Sequence, residues 1–74
     1  MTKQEIVEEM YKRFKESEDI MTLQQIHIQT HELYKKYQDY YGWEYEDFRD
    51  IFASVLARYI IWCSVNDVVP VTGD

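Results

Sequence analysis

The residues of this chain that could do chemistry are few and set far apart. His27 and His31 stand four positions from each other. On a helix that spacing places two imidazoles on one face, the beginning of a metal site. The zinc-protease pattern HExxH would need Glu immediately after the first histidine, and residue 28 is Ile. Cys63 is the single cysteine and the only other soft ligand, and no fourth donor accompanies it. The two histidines therefore read as ordinary polar side chains beside a core stripe, with no metal and no cofactor expected. Cys63 lies in a strongly apolar stretch, where it behaves as a small hydrophobe, and no sequence pattern supplies a base to activate it. The carboxylates form no EF-hand loop, and neither a Gly-rich phosphate cradle nor a Ser/His/Asp signature occurs. A chain this short also lacks room for an enclosed pocket of ordinary size. The expectation is a protein that is not an enzyme.

Composition narrows the remaining classes. Fourteen acidic residues against eight basic ones give a net charge of −6. Binding to phosphates relies on Lys and Arg displacing counterions, so direct nucleic-acid contact is not expected, nor is attachment to an anionic membrane. A basic protein partner, including one that itself handles nucleic acid, suits this charge. Apolar residues make up 46% and aromatics 16%, too rich for a disordered segment. A lone cysteine offers no internal disulfide and fits a reducing cytoplasm. The N-terminus MTKQEIVEEM carries acids and no apolar segment, unlike a signal peptide. The stretch Ile51 to Val65 is too short to span a bilayer and contains Arg58.

These residues must be held by helices. No Gly or Pro occurs before Gly42. Val7, Met10 and Phe14, flanked by Ile6 and Tyr11, predict a helix over about 2–16, and Thr2 with Glu5 has capping-box spacing. Ser17-Glu18-Asp19 reads as a connection. Thr22 with Gln25 is a second capping box, and Met21 can staple onto Ile26. The stripe Leu23, Ile26, Thr30, Leu33, Tyr37 and Tyr40 steps 3-4-3-4-3 along a helix over about 22–41, which Gly42 ends. A third stripe, Tyr45, Phe48, Phe52, Val55, Tyr59 and Trp62, predicts a helix over about 44–65 with Asn66 as a cap. Pro70 favours an extended tail over 67–74. One all-α domain follows, a three-helix up-down-up bundle.

That topology gathers two surfaces. Glu5, Glu8 and Glu9 open the first helix, and Glu44, Glu46, Asp47 and Asp50 open the third. In an up-down-up bundle these seven carboxylates meet at one end, opposed by Lys3, Lys35 and Lys36. The same end carries Tyr37, Tyr40, Tyr41, Trp43 and Tyr45, a composition found at interface hot spots. Against this stands the simpler account that the charges complement helix dipoles and the tyrosines close the core. The second surface is the third helix itself. Twelve of the fifteen residues from Ile51 to Val65 are apolar, more than two neighbouring helices can cover. Ile60, Ile61 and Val65 would then face a partner or a second copy of the chain, unless Val68, Val69 and Val71 fold back over them.

A short first helix, the Thr22-Leu23 opening of the second, and a long last helix with Phe52 and Ser54 before Val68-Val69-Pro70 give a layout that resembles the Hha/YmoA modulators. The resemblance implies a small helical protein that binds the nucleoid protein H-NS. Trp43, the aromatics around it and the extended tail do not map onto that family. The leading expectation is a protein-binding regulator or inhibitor of a basic partner, such as phages and plasmids encode. DNA mimicry is a narrower version, in which carboxylates imitate phosphates, although eight bases interleave with them. A structural homo-oligomer built on the third helix is the second class. A metal- or redox-linked activity at His27, His31 and Cys63 is the third.

Overall fold

A computed structural model describes residues 1–72. Three helices form where the periodicity places them: α1 over Lys3–Glu16, α2 over Leu23–Tyr41 and α3 over Tyr45–Val65. Among the described residues there is no strand. Both capping boxes are present. Glu5 N–H donates to Thr2 Oγ1 at 3.2 Å while Thr2 N–H donates to Glu5 Oε1 at 3.0 Å. Gln25 N–H and Thr22 N–H make the same reciprocal pair at 3.1 and 2.9 Å. Each box satisfies two donors that a helix start otherwise leaves without partners. Gly42 ends α2 at φ 68°, a left-handed conformation that costs a glycine nothing.

Contacts along the helices fix their directions. Lys3 meets Asp47 and Asp50, Glu8 meets Arg58, and Phe14 meets Tyr59 and Trp62, so α1 and α3 run parallel. His31 lies against Phe48 and His27 against Phe52, while Tyr59 reaches Met21 at the far end, so α2 runs antiparallel to α3. This is the up-down-up bundle that two short connections predict. The α1–α3 pair is the most extensive of the three.

The core is one cluster drawn from all three helices: Ile6, Val7, Met10 and Phe14 of α1; Ile26, Leu33 and Tyr34 of α2; Phe48, Ile51, Val55, Tyr59 and Cys63 of α3; and Met21 from the first connection. Thr30 is buried with them, its hydroxyl donating to the Ile26 carbonyl at 2.6 Å. Phe14 is the hub at the α3 C-terminal end, with edge-to-face contacts to Tyr11, Tyr59 and Trp62 at 5.2, 5.4 and 5.7 Å.

Two stripes differ from their expected course. In α3 the buried positions step 3-4-4-4, through Phe48, Ile51, Val55, Tyr59 and Cys63. Phe52 and Trp62 sit at the edge, and Tyr45 is 68% exposed. Each step of four rotates the stripe by about 40° around the helix, so a straight coiled-coil seam is not what packs here. In α2 the core ends at Tyr34, and Tyr40 is 82% exposed. The last core layer is made by Phe48 with Tyr34, at 5.3 Å, and the final turn of α2 runs on past it.

The C-terminal segment is anchored at both ends. Val68 N–H donates to the Cys63 carbonyl at 2.8 Å and Asp67 N–H to that of Ser64 at 3.4 Å, a Schellman closure of α3. The left-handed position is Asp67, at φ 56°, one residue beyond the expected cap Asn66. Val68 then packs on the core, and the chain crosses to the start of α2. There Leu23 N–H donates to the Val71 carbonyl at 2.7 Å and Gln24 N–H to that of Thr72 at 3.1 Å. With Gln25 serving Thr22 and Thr22 serving Gln25, all four donors at the start of α2 are satisfied. Residues 73 and 74 of the expected tail lie outside the described residues.

Candidate functional site: two exposed surfaces

The acidic end is real, but most of its charge is spent internally. Lys3 reaches Asp47 at 2.6 Å and Asp50 at 3.5 Å. The Asp47 carboxylate also accepts the Glu44 N–H at 2.8 Å, as the N-terminal cap of α3. Its pKa is held below the ordinary aspartate value, first by the Lys3 hydrogen bond and then by that backbone donor. The same pairing raises Lys3. Glu5 is lowered by the Thr2 N–H it accepts. Glu8 pairs with Arg58 at 2.7 Å and Glu9 with Arg13 at 2.8 Å. Of the seven expected carboxylates, Glu5, Glu44 and Glu46 make no ion pair among the described residues, and Glu5 accepts a backbone N–H instead. Lys35 donates to Gln38 and Lys36 lies over the Tyr37 ring, so neither opposes the acids as expected.

The aromatic residues at this end divide into a closed stack and two free rings. Trp43 lies nearly parallel to Tyr41, at 4.7 Å and 11°, and to Tyr34, at 6.0 Å and 7°. Gln38 ties the turn by donating to the Tyr34 hydroxyl at 2.9 Å and to the Trp43 carbonyl at 3.3 Å. Trp43 is partly buried and packs against the core cluster beside Tyr34. Tyr40 and Tyr45 are the rings left largely in solvent.

The outward face of α3 is the second surface. Ile60, Ile61 and Val65 are 49%, 63% and 78% exposed. The tail does not cover them, since its carbonyls are bonded to the start of α2. Between α3 and α1, Tyr11, Arg58, Ile61, Trp62, Val65 and Asn66 line an open groove of about 310 Å³. That volume is near the small end of ligand clefts, about 300–1,000 Å³. Its floor is aromatic, and Arg58 is held over the Tyr11 ring at 5.4 Å while paired to Glu8. Sequence reasoning placed Ile61 and Val65 here but missed Tyr11 and Arg58. Arg58 is the single charge in the run from Ile51 to Val65, which was the available signal.

The chemical candidates come apart. His27 and His31 are exposed on α2, with ring centroids 6.4 Å apart, and rest edge-on against Phe48 and Phe52. Cys63 is buried in the core beside Tyr59, at the opposite end from His31. Tyr59 is itself fully buried and donates its hydroxyl to the Met21 carbonyl. Burial pushes its pKa up, with Cys63 adding to the effect. Among the described residues no group of three or more His, Cys, Asp or Glu side chains could hold a metal ion. Nor does any helix have the length and apolarity to cross a membrane.

No protein-family model, curated protein or solved structure matches this chain.

Proposed function

We propose that this chain is a non-catalytic protein-binding module, a regulator or inhibitor of a basic partner, and that the outward face of α3 is its contact surface. One observation carries the reading. Ile60, Ile61 and Val65 stay in solvent on the last turns of α3, while the tail that might have shielded them is committed to capping α2. Apolar surface left exposed in this way is available to a partner, and large exposed apolar patches are a mark of interaction sites. The net charge of −6 favours a basic partner over a nucleic acid or an anionic membrane.

A second reading places the contact at the acidic–aromatic end, through Tyr40, Tyr45, Glu44 and Glu46. The exposure of those two rings favours it. The pairing of the other carboxylates weighs against DNA mimicry, because phosphate imitation needs unpaired negative charge. An Hha-like modulator and a homo-oligomer through α3 are further versions of a binding role.

Affinity capture from the native cell with wild type and an Ile61→Glu variant tests the proposal, each recovered protein being re-bound in purified form. A stoichiometric partner held by wild type and lost by the variant supports it. A partner held equally by both moves the contact to the other end. Self-association dissolved by Ile61→Glu replaces the proposal with the homo-oligomer.

A further inference from the structure

The bundle leaves one pair of chemically capable side chains together in solvent. His27 and His31 are both exposed on α2, their ring centroids 6.4 Å apart and their planes within 20° of parallel. The helix causes this: four residues complete just over one turn, so the two side chains rise from one face. Phe48 and Phe52 of α3 stand against the pair on one side, their rings at 77° to 87° to the imidazoles. That contact restricts both imidazoles, so less rotamer freedom is lost when they close on a common ligand. Ile28 and Glu32 join them to line an open hollow of about 360 Å³. Lys35, one turn beyond His31, donates to Gln38 instead of entering the hollow.

Neutral imidazole is a nitrogen donor that suits zinc, copper and nickel rather than magnesium or calcium. An ion about 2.0–2.1 Å from a nitrogen of each ring sets the two ring centroids roughly 5 Å apart. Closing from 6.4 Å asks each ring to swing by less than about 1 Å, which exposed side chains do without moving the backbone. Because one helical turn already holds the two rings together, the second bond forms within a single molecule and costs little further freedom. We propose that His27 and His31 chelate a divalent transition-metal ion (zinc, nickel or copper) as a two-point site. Glu32 is not a third ligand where it stands, since no three such groups gather among the described residues. Its carboxylate adds negative charge at the rim, and the net charge of −6 on the whole chain draws cations too. Cys63 takes no part, being buried in the core. The ion therefore keeps coordination positions free for water or for a donor from another molecule, unlike the closed four-ligand sites that hold a fold together. This site is independent of which surface meets a partner protein.

Zinc is the probe, because it is diamagnetic and leaves every signal readable. The full chain, isotopically labelled, is titrated with zinc chloride at neutral pH while histidine ring and backbone amide shifts are followed. Shifts centred on residues 27–31 that saturate below about 1 mM zinc, and that magnesium at the same concentration does not produce, are expected. His27→Gln and His31→Gln should each weaken zinc binding at least about tenfold, since even losing the hydrogen bond that supports a ligand costs that much. Both side chains are exposed, so the variants fold, and their amide spectra report it. Were one variant to unfold, the other and the wild-type titration still decide. Lys35→His added to His27→Gln rebuilds the four-residue spacing from His31 and should recover part of the lost affinity. Sedimentation in zinc separates the sources of the remaining ligands. One chain per ion means that water completes the shell, two chains per ion mean that a second copy does, and either result upholds the chelate. Shifts that magnesium reproduces, shifts centred on Glu44 and Glu46, or affinity that survives either glutamine variant overturn it. So does a titration that fails to saturate below about 1 mM zinc.

Discussion

Phe14 and Tyr59 decide more of this protein's stability than any charged residue does. Phe14 joins Tyr11, Tyr59 and Trp62 through edge contacts, and its ring has no exposed edge on which the loss could be repaired. Phe14→Ala should cost about 3–5 kcal/mol, enough to unfold a domain of this size, as circular dichroism in urea would read. Tyr59→Phe removes the hydroxyl from the buried Met21 carbonyl and leaves that acceptor without its partner, at a cost of about 1–3 kcal/mol. The same hydroxyl sets a pH dependence. Its folded pKa lies above the ordinary tyrosine value of 10.0, so above pH 10 the unfolded chain releases a proton that the folded chain keeps. Stability is full below that pH and falls as pH rises through the folded value; Tyr59→Phe should remove this share of the alkaline loss in urea titrations. On the acid side the sign is reversed. Asp47 and Glu5 are lowered from 3.8 and 4.5, so their stabilisation is present above those values and lost as pH falls through the lower folded ones. Asp47→Asn should flatten that acid limb in the same titrations.

At the level of elements, the last described residues work as part of α2. The carbonyls of Val71 and Thr72 complete the set of partners at its start, and Val68 closes α3 onto the core. Ending the chain at Asp67 removes two backbone acceptors, the Val68 N–H donor to Cys63 and one partly buried valine at once. The loss should be about 2–5 kcal/mol by urea unfolding, from three backbone hydrogen bonds and the apolar contact. Hydrogen exchange locates it: the amides of Leu23 and Gln24 should lose protection first, while those of mid-α1 follow global unfolding. Equal protection at Leu23 and Gln24 with and without the tail would show that water replaces the carbonyls at no cost.

The whole molecule measures 38 × 24 × 20 Å, and three helices spend their buried faces on one another. What remains for function is on the outside. Substituting Ile60 and Ile61 with Ser should change folding stability by no more than about 0.5 kcal/mol each, because neither side chain is in the core. The same substitutions should remove partner binding and improve solubility at high concentration. A stability loss well above that figure, by thermal unfolding, would mean that the face is a structural surface. Charge acts at this scale too. Lys at Glu44 and Glu46, two carboxylates of that end outside the ion pairs, should alter the salt dependence of partner association if the acidic end takes part, leaving the fold intact.

Helix positions, both capping boxes, the stop at Gly42 and the antiparallel run of α2 were legible in the sequence, because each depends on residues within a few positions of one another. Thr2 with Glu5 and Thr22 with Gln25 need only the start of a helix to find their partners. The length of the α1–α2 and α2–α3 connections sufficed for topology. The buried face of α1, with Ile6, Val7, Met10 and Phe14, is the one the spacing predicts, whereas the tertiary structure alone decided where the buried face of α2 ends and how that of α3 turns. Tyr37, Tyr40, Tyr45, Phe52 and Trp62 share the periodicity of the core stripes, yet local spacing cannot tell where the last core layer falls or how far a stripe rotates. The fate of the two surfaces was settled in the same way. Lys3, far from Asp47 in the chain, neutralises it only once α1 and α3 lie parallel. Val71, Thr72 and the start of α2 are joined by carbonyls that any residue possesses, so no side-chain pattern could announce that the tail would leave Ile60, Ile61 and Val65 in solvent. The chain's own pattern determined that α3 carries more apolar surface than a small bundle can bury; packing decided which part of that surface was left outside.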